Sequence, residues 1–107
     1  MTPEGKVKLL VRKGLEENRI LPFSSQLEGR IGSYYMPVQT GYGQRAVDFI
    51  CVIRGRFVAI ETKRPDGGEL TEAQTHFLRS TDRSNGVSIV ARCWEDVAGP
   101  LRQMGFI

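Results

Sequence analysis

Residues 46–63 read Ala-Val-Asp-Phe-Ile-Cys-Val-Ile-Arg-Gly-Arg-Phe-Val-Ala-Ile-Glu-Thr-Lys. Two apolar runs rich in Val, Ile and Phe flank Arg54-Gly55, which predicts two antiparallel strands joined by a two-residue turn. Runs this apolar belong in a sheet covered on both faces. Three charged residues break the pattern: Asp48, Glu61 and Lys63. With a two-residue loop, Ile53 pairs with Arg56 and Asp48 falls opposite Glu61. Side chains alternate along a strand, so residues 57, 59, 61 and 63 share a face and the three charged groups converge. A three-residue loop with a bulge shifts the pairing by one, and sheet twist can still bring the carboxylates together.

Opposed carboxylates repel, and in a partly buried setting each ion also loses hydration worth several kcal/mol. Lys63 sets one positive charge against two negative ones. The deficit suits a hard divalent cation held by oxygen ligands. The competing reading is a solvated strand edge with an ordinary ion pair. The apolar neighbours argue against it.

A length of 107 residues fits one domain, 1–107, with one modest core. No apolar run approaches the ~20 residues needed to span a bilayer, so no membrane partner is expected. The N-terminus lacks an apolar signal core, and the expected location is cytoplasmic. Fifteen basic against 12 acidic residues give a net charge of +3, which permits an anionic partner without a long Lys/Arg run to mark one. Cys51 and Cys93 lie in apolar stretches without metal-ligand spacing and are expected as buried, reduced thiols.

Thr2 and Pro3 open a first helix as N-cap and N1. Val7, Leu10, Val11 and Leu15 recur at helical spacing and predict its core face. Glu4 points along the same side as Val11 and Leu15. It is either a first-turn carboxylate favoured by the helix dipole or a third acid aimed at the sheet. Ile20 to Ser33 reads as a loop or short hairpin. Residues 34–38 read as a strand, with Pro37 marking an edge or a bulge. Residues 40–45, Thr-Gly-Tyr-Gly-Gln-Arg, are either a connecting turn or a mobile loop beside the acids. In the second case Tyr42 would stack on a base or sugar and Arg45 would contact phosphate.

Past Lys63 a flexible turn carries Arg64, a further candidate phosphate contact. Thr71-x-x-Gln74 is a capping-box pattern that opens a helix to about Thr81, with Ala73, Phe77 and Leu78 on its packed face. His76 has no ligand partner at metal spacing and is expected at the surface. Residues 87–91 predict a strand. Trp94 to Met104 predict a short helix broken or ended near Gly99-Pro100.

The order helix, strand, hairpin, helix, strand resembles the αβββαβ core of the PD-(D/E)xK nucleases. More narrowly, the chain resembles the stand-alone VRR-Nuc (virus-type replication–repair nuclease) domain proteins of phages and bacteria. The motifs are Thr-Pro-Glu-Gly-Lys-Val at 2–7, Met-Pro-Val-Gln-Thr-Gly-Tyr-Gly at 36–43, Val-Asp-Phe-Ile at 47–50 and Gly-Arg-Phe-Val-Ala-Ile-Glu-Thr-Lys at 55–63. Leu-Thr-x-x-Gln at 70–74 and the strand 86–90 continue them. Two departures stand out: Val47 where the family usually has Pro before the acid, and a longer connection over 20–32.

The resemblance implies an α/β, restriction-endonuclease-like fold whose mixed central sheet is flanked by helices. It implies a phosphodiester hydrolase, a DNA endonuclease using magnesium or manganese (Mg²⁺ or Mn²⁺). Glu4, Asp48, Glu61 and the Thr62 carbonyl are then the metal ligands, and Asp48, Glu61, Lys63 and Gln74 the catalytic set. A divalent cation would activate water and neutralise charge on the phosphate, with Lys63 orienting the water or stabilising that charge. Such proteins are similar to Holliday-junction resolvases, which implies a homodimer acting on branched or four-way DNA in a bacterial or phage-infected cell. The alternative, from another class, is a non-cleaving nucleic-acid-binding or interaction module that keeps the fold. The intact set of acids argues against it.

Overall fold

The hairpin at the centre of the chain forms with the predicted turn: Ile53 pairs with Arg56, and the strands run antiparallel from there to the Phe49–Ile60 pair. Arg54 and Gly55 take φ of 50° and 81°, the left-handed geometry that lets a two-residue loop follow the strand twist. The structure is a computed structural model and describes residues 1–22, 33–37 and 47–107. Tyr42, Arg45, the loop 40–45 and most of the 20–32 connection lie outside the described residues.

In chain order the elements are α1 (Pro3–Glu17), β1 (Leu21–Pro22), β2 (Ser33–Pro37), β3 (Phe49–Ile53), β4 (Arg56–Thr62), α2 (Glu72–Arg83), β5 (Val87–Ala91) and α3 (Glu95–Gln103). The described strands form one mixed sheet in the order β1-β2-β3-β4-β5. The β2-β3 and β3-β4 pairs are antiparallel, while β1-β2 and β4-β5 are parallel. The architecture of the described residues is therefore α/β, a five-stranded mixed sheet with three helices. Pro37 ends β2 beyond the two residues that β1 covers, so its missing N–H interrupts no described ladder on that side.

Two apolar clusters explain the unbroken runs in β3 and β4. On one face, Phe49, Cys51, Ile53, Val58 and Ile60 pack with Val7, Val11 and Leu15 of α1 and Val97 and Leu101 of α3. On the other, Val47 and Ala59 pack with Leu78, flanked by Ile50, Phe77 and Val90. Thr2 caps α1 through the Gly5 N–H, and Thr71 and Gln74 complete a reciprocal capping box on α2.

Three sequence expectations are corrected. Leu10 is about half exposed, because the buried stripe of α1 runs through Val7, Val11, Gly14 and Leu15 and leaves it at the margin. Cys93 is exposed, since β5 ends at Ala91 and Cys93 falls in the bend before α3; Cys51 is buried. Helix α3 runs through Pro100 rather than stopping there. The ring removes one backbone donor, and burial of Val97 and Leu101 on either side offsets that loss. Among the described residues no helix is long and apolar enough to cross a membrane.

Candidate metal centre

Asp48 sits in a bend just before β3, with its N–H donating to the Ile60 carbonyl at 3.1 Å. The ladder thus reaches Asp48, but it is the bend that aims the carboxyl at the end of β4. There Oδ2 accepts from the Thr62 N–H at 2.9 Å and the Thr62 hydroxyl at 2.6 Å. Glu61, one residue earlier on β4, is 1% exposed. Its Oε2 accepts from Gln74 Nε2 at 2.8 Å and lies 3.4 Å from Lys63 Nζ. Gln74 does two jobs: its Oε1 accepts from the Thr71 N–H at 2.9 Å while its Nε2 holds Glu61. The capping role and the site role therefore coexist in one side chain.

From the opposite layer, α1 brings Glu4. One carboxylate oxygen each of Glu4, Asp48 and Glu61 lie within 4.8 Å of one another. Helical phase aims Glu4 at the sheet, and the dipole argument alone gives no reason for that direction. Glu4, Lys63, Arg64 and Gly68 line a cleft of about 320 Å³, while Asp48 and Glu61 stay buried behind it. Arg64 is exposed and 3.8 Å from Asp66.

Two residues of this region carry weight that the sequence reading missed. Lys8 Nζ lies 3.1 Å from Asp48 Oδ1. It follows Glu4 by four positions, so helical spacing alone puts the two side by side, and that was the available signal. Arg92 donates to the carbonyls of Arg64, Gly67 and Gly68 and so braces the loop that follows Lys63. Those contacts join residues 24 to 28 positions apart, and no local pattern announces them. His76 is exposed, its Nε2 3.9 Å from a Glu72 carboxylate oxygen.

The two buried acids ionise differently. Burial pushes Asp48 up, but the two Thr62 hydrogen bonds and the Lys8 ammonium overcome it and hold Asp48 below its ordinary value. Burial, then the Asp48 charge, push Glu61 up to about 7, and Lys63 only partly counters them. Glu61 Oε1 is buried and accepts no hydrogen bond among the described residues. An oxygen without a donor, facing a second carboxylate, is complete only with a proton or a cation.

The donor set fits a hard divalent ion: three carboxylates, no soft ligand, and one buried oxygen left open. Lys8 is the feature that competes with such an ion, because it already neutralises part of Asp48. Compared with protein-family models, with curated proteins and with solved structures, the chain matches none at a significant level.

Proposed function

We propose that this chain is a divalent-metal-dependent endonuclease that hydrolyses phosphodiester bonds in DNA on a restriction-endonuclease-like core. The observation that carries the reading is the cluster of Glu4, Asp48 and Glu61 with a buried, unsatisfied Glu61 oxygen and Lys63 3.4 Å from the same carboxylate. Acids that repel one another inside a fold persist where a cation or a proton joins them. A bound Mg²⁺ or Mn²⁺ would supply Lewis acidity toward a phosphate oxygen and toward water.

The chain's own groups do the rest. Asp48, fixed by Thr62, and Glu61, fixed by Gln74, present preset oxygens, with Glu4 and the Thr62 carbonyl completing the ligand set. Lys63 stabilises charge developing on the phosphate or orients the water that attacks it. Arg64, exposed at the cleft, and Arg45 contact the DNA phosphates, and Tyr42 stacks on a base or sugar. A homodimer would supply the two dyad-related sites that symmetric cutting of a four-way junction requires.

The second reading is a non-cleaving nucleic-acid-binding module. The Lys8–Asp48 ion pair favours it, since a lysine can quiet the acids without any metal. A cleavage panel of linear, flap and four-way DNA with Mg²⁺ or Mn²⁺ decides. Lys63→Ala and Glu61→Gln should abolish metal-dependent cutting while keeping a cooperative melt. A folded variant with near-wild-type turnover removes the catalytic assignment.

A further inference from the structure

We propose that this centre takes one divalent cation rather than two, and that the Lys8 ammonium stands in for the second positive charge and sets the cation affinity. The inference rests on the metal-centre part of the nuclease reading. A carboxylate that bridges two metals through both of its oxygens must offer both to the metals. Neither buried acid does. Asp48 Oδ2 accepts from the Thr62 N–H and hydroxyl at 2.9 and 2.6 Å. Glu61 Oε2 is held by Gln74 at 2.8 Å with Lys63 3.4 Å away. Each acid thus keeps one oxygen outside those bonds: Asp48 Oδ1, beside Lys8, and Glu61 Oε1.

Charge leads to the same count. Glu4, Asp48 and Glu61 are offset by Lys63 and Lys8, which leaves one net negative charge when all five are ionised. One divalent ion reverses that sign, and a second would meet a positive centre. Lys8 Nζ lies 3.1 Å from the Asp48 oxygen that an entering ion needs, so the two cations compete. The Lys8 side chain is 39% exposed, while that of Lys63 is 11% exposed. An ion that reaches Asp48 therefore meets the ammonium of the more exposed lysine, which lines a separate groove with Arg12 and Tyr35.

The test is Mn²⁺ titration of the full chain by calorimetry and by electron paramagnetic resonance, in wild type, Lys8→Met and Lys8→Arg. Wild type should bind one Mn²⁺ per chain with no spin-coupled pair. Lys8→Met should bind Mn²⁺ about tenfold more tightly, as expected when a like charge a few ångströms away is removed, and should melt lower without metal. Lys8→Arg should return toward wild type. Two ions per wild-type chain overturn the proposal, as does a folded Lys8→Met protein with unchanged or weaker affinity. Should Lys8→Met not fold, Lys8→Gln and the wild-type stoichiometry test the same points. The readout is binding, so a chain that takes one Mn²⁺ and cuts no DNA counts against the nuclease reading alone.

Discussion

Glu4 meets the solvent cleft on one side and two buried carboxylates on the other. Its two readings predict opposite behaviour in one variant. As a first-turn dipole partner it contributes about 0.3–1 kcal/mol of stability, and Glu4→Gln should lose that and stay fully active. As a metal ligand it adds a third repelling charge to the metal-free site. Glu4→Gln should then melt at or above the wild-type temperature without metal, cut poorly, and need more Mg²⁺ for half-maximal activity. Melts with and without Mg²⁺, beside a metal titration of cleavage, separate the two. A destabilised, fully active variant with unchanged metal dependence removes Glu4 from the ligand set.

Helix α1 is tied to the start of α3 at a point where ordinary helix propensity misleads. Gly14 lies in a helix interior, where Ala is favoured by about 1 kcal/mol. A Cβ at residue 14 would stand 2.4 Å from ring carbons of Trp94. Overpacking of that kind costs about 1–3 kcal/mol, so the clash outweighs the propensity gain. Gly14→Ala should lower stability in urea melts, and in a Trp94→Ala background the same change should raise it. Additive effects in the double variant mean that the ring is not what excludes the methyl group.

At the same scale, the hairpin, the first-helix cap, the α2 capping box and β5 were legible because their signals are local: period two, period 3.6, turn residues and caps. Glu61 and Lys63 were legible for the same reason, whereas local pattern gave Gln74 only its capping role and the resemblance alone put it in the site. The bend that aims Asp48, the brace from Arg92 and the exposure of Cys93 depend on where strands end and which distant segments meet. Leu10 was misread because spacing places a residue on a side of a helix without saying how wide the partner surface is. Pro100 was misread because a breaker rule omits the burial of Val97 and Leu101.

For the whole molecule, the net charge of +3 is spread thinly, so DNA affinity should rest on a few phosphate contacts. Replacing Arg64 by Ala should weaken linear and branched substrates alike and lower the slope of log affinity against log salt by about one. An unchanged slope removes Arg64 from the footprint.

Stability of the whole fold should record the strain at Glu61. Its carboxyl is raised from 4.5 to about 7 by burial and by Asp48, so the folded state holds its proton longer than the unfolded chain. That contribution is fully present below pH 4.5 and is lost as pH rises through 7. At ~1.4 kcal/mol per unit it amounts to something on the order of 3 kcal/mol. Asp48 runs the other way: its stabilisation is present above its ordinary value of 3.8 and disappears as the solution turns acid below it. In Glu61→Gln the amide oxygen can still accept from Gln74, and there is no proton to lose. The stability difference between this variant and wild type, measured by urea melts in chelator, should therefore grow in favour of the variant from pH 4.5 to 8. Mg²⁺ requires the ionised acid, so its stabilisation of wild type should be small at pH 5 and largest at pH 8, and slight in the variant at both. Parallel stability curves for the two proteins across that range mean that Glu61 ionises in the fold as it does in water, and that the cluster carries no unmet charge for a cation to satisfy.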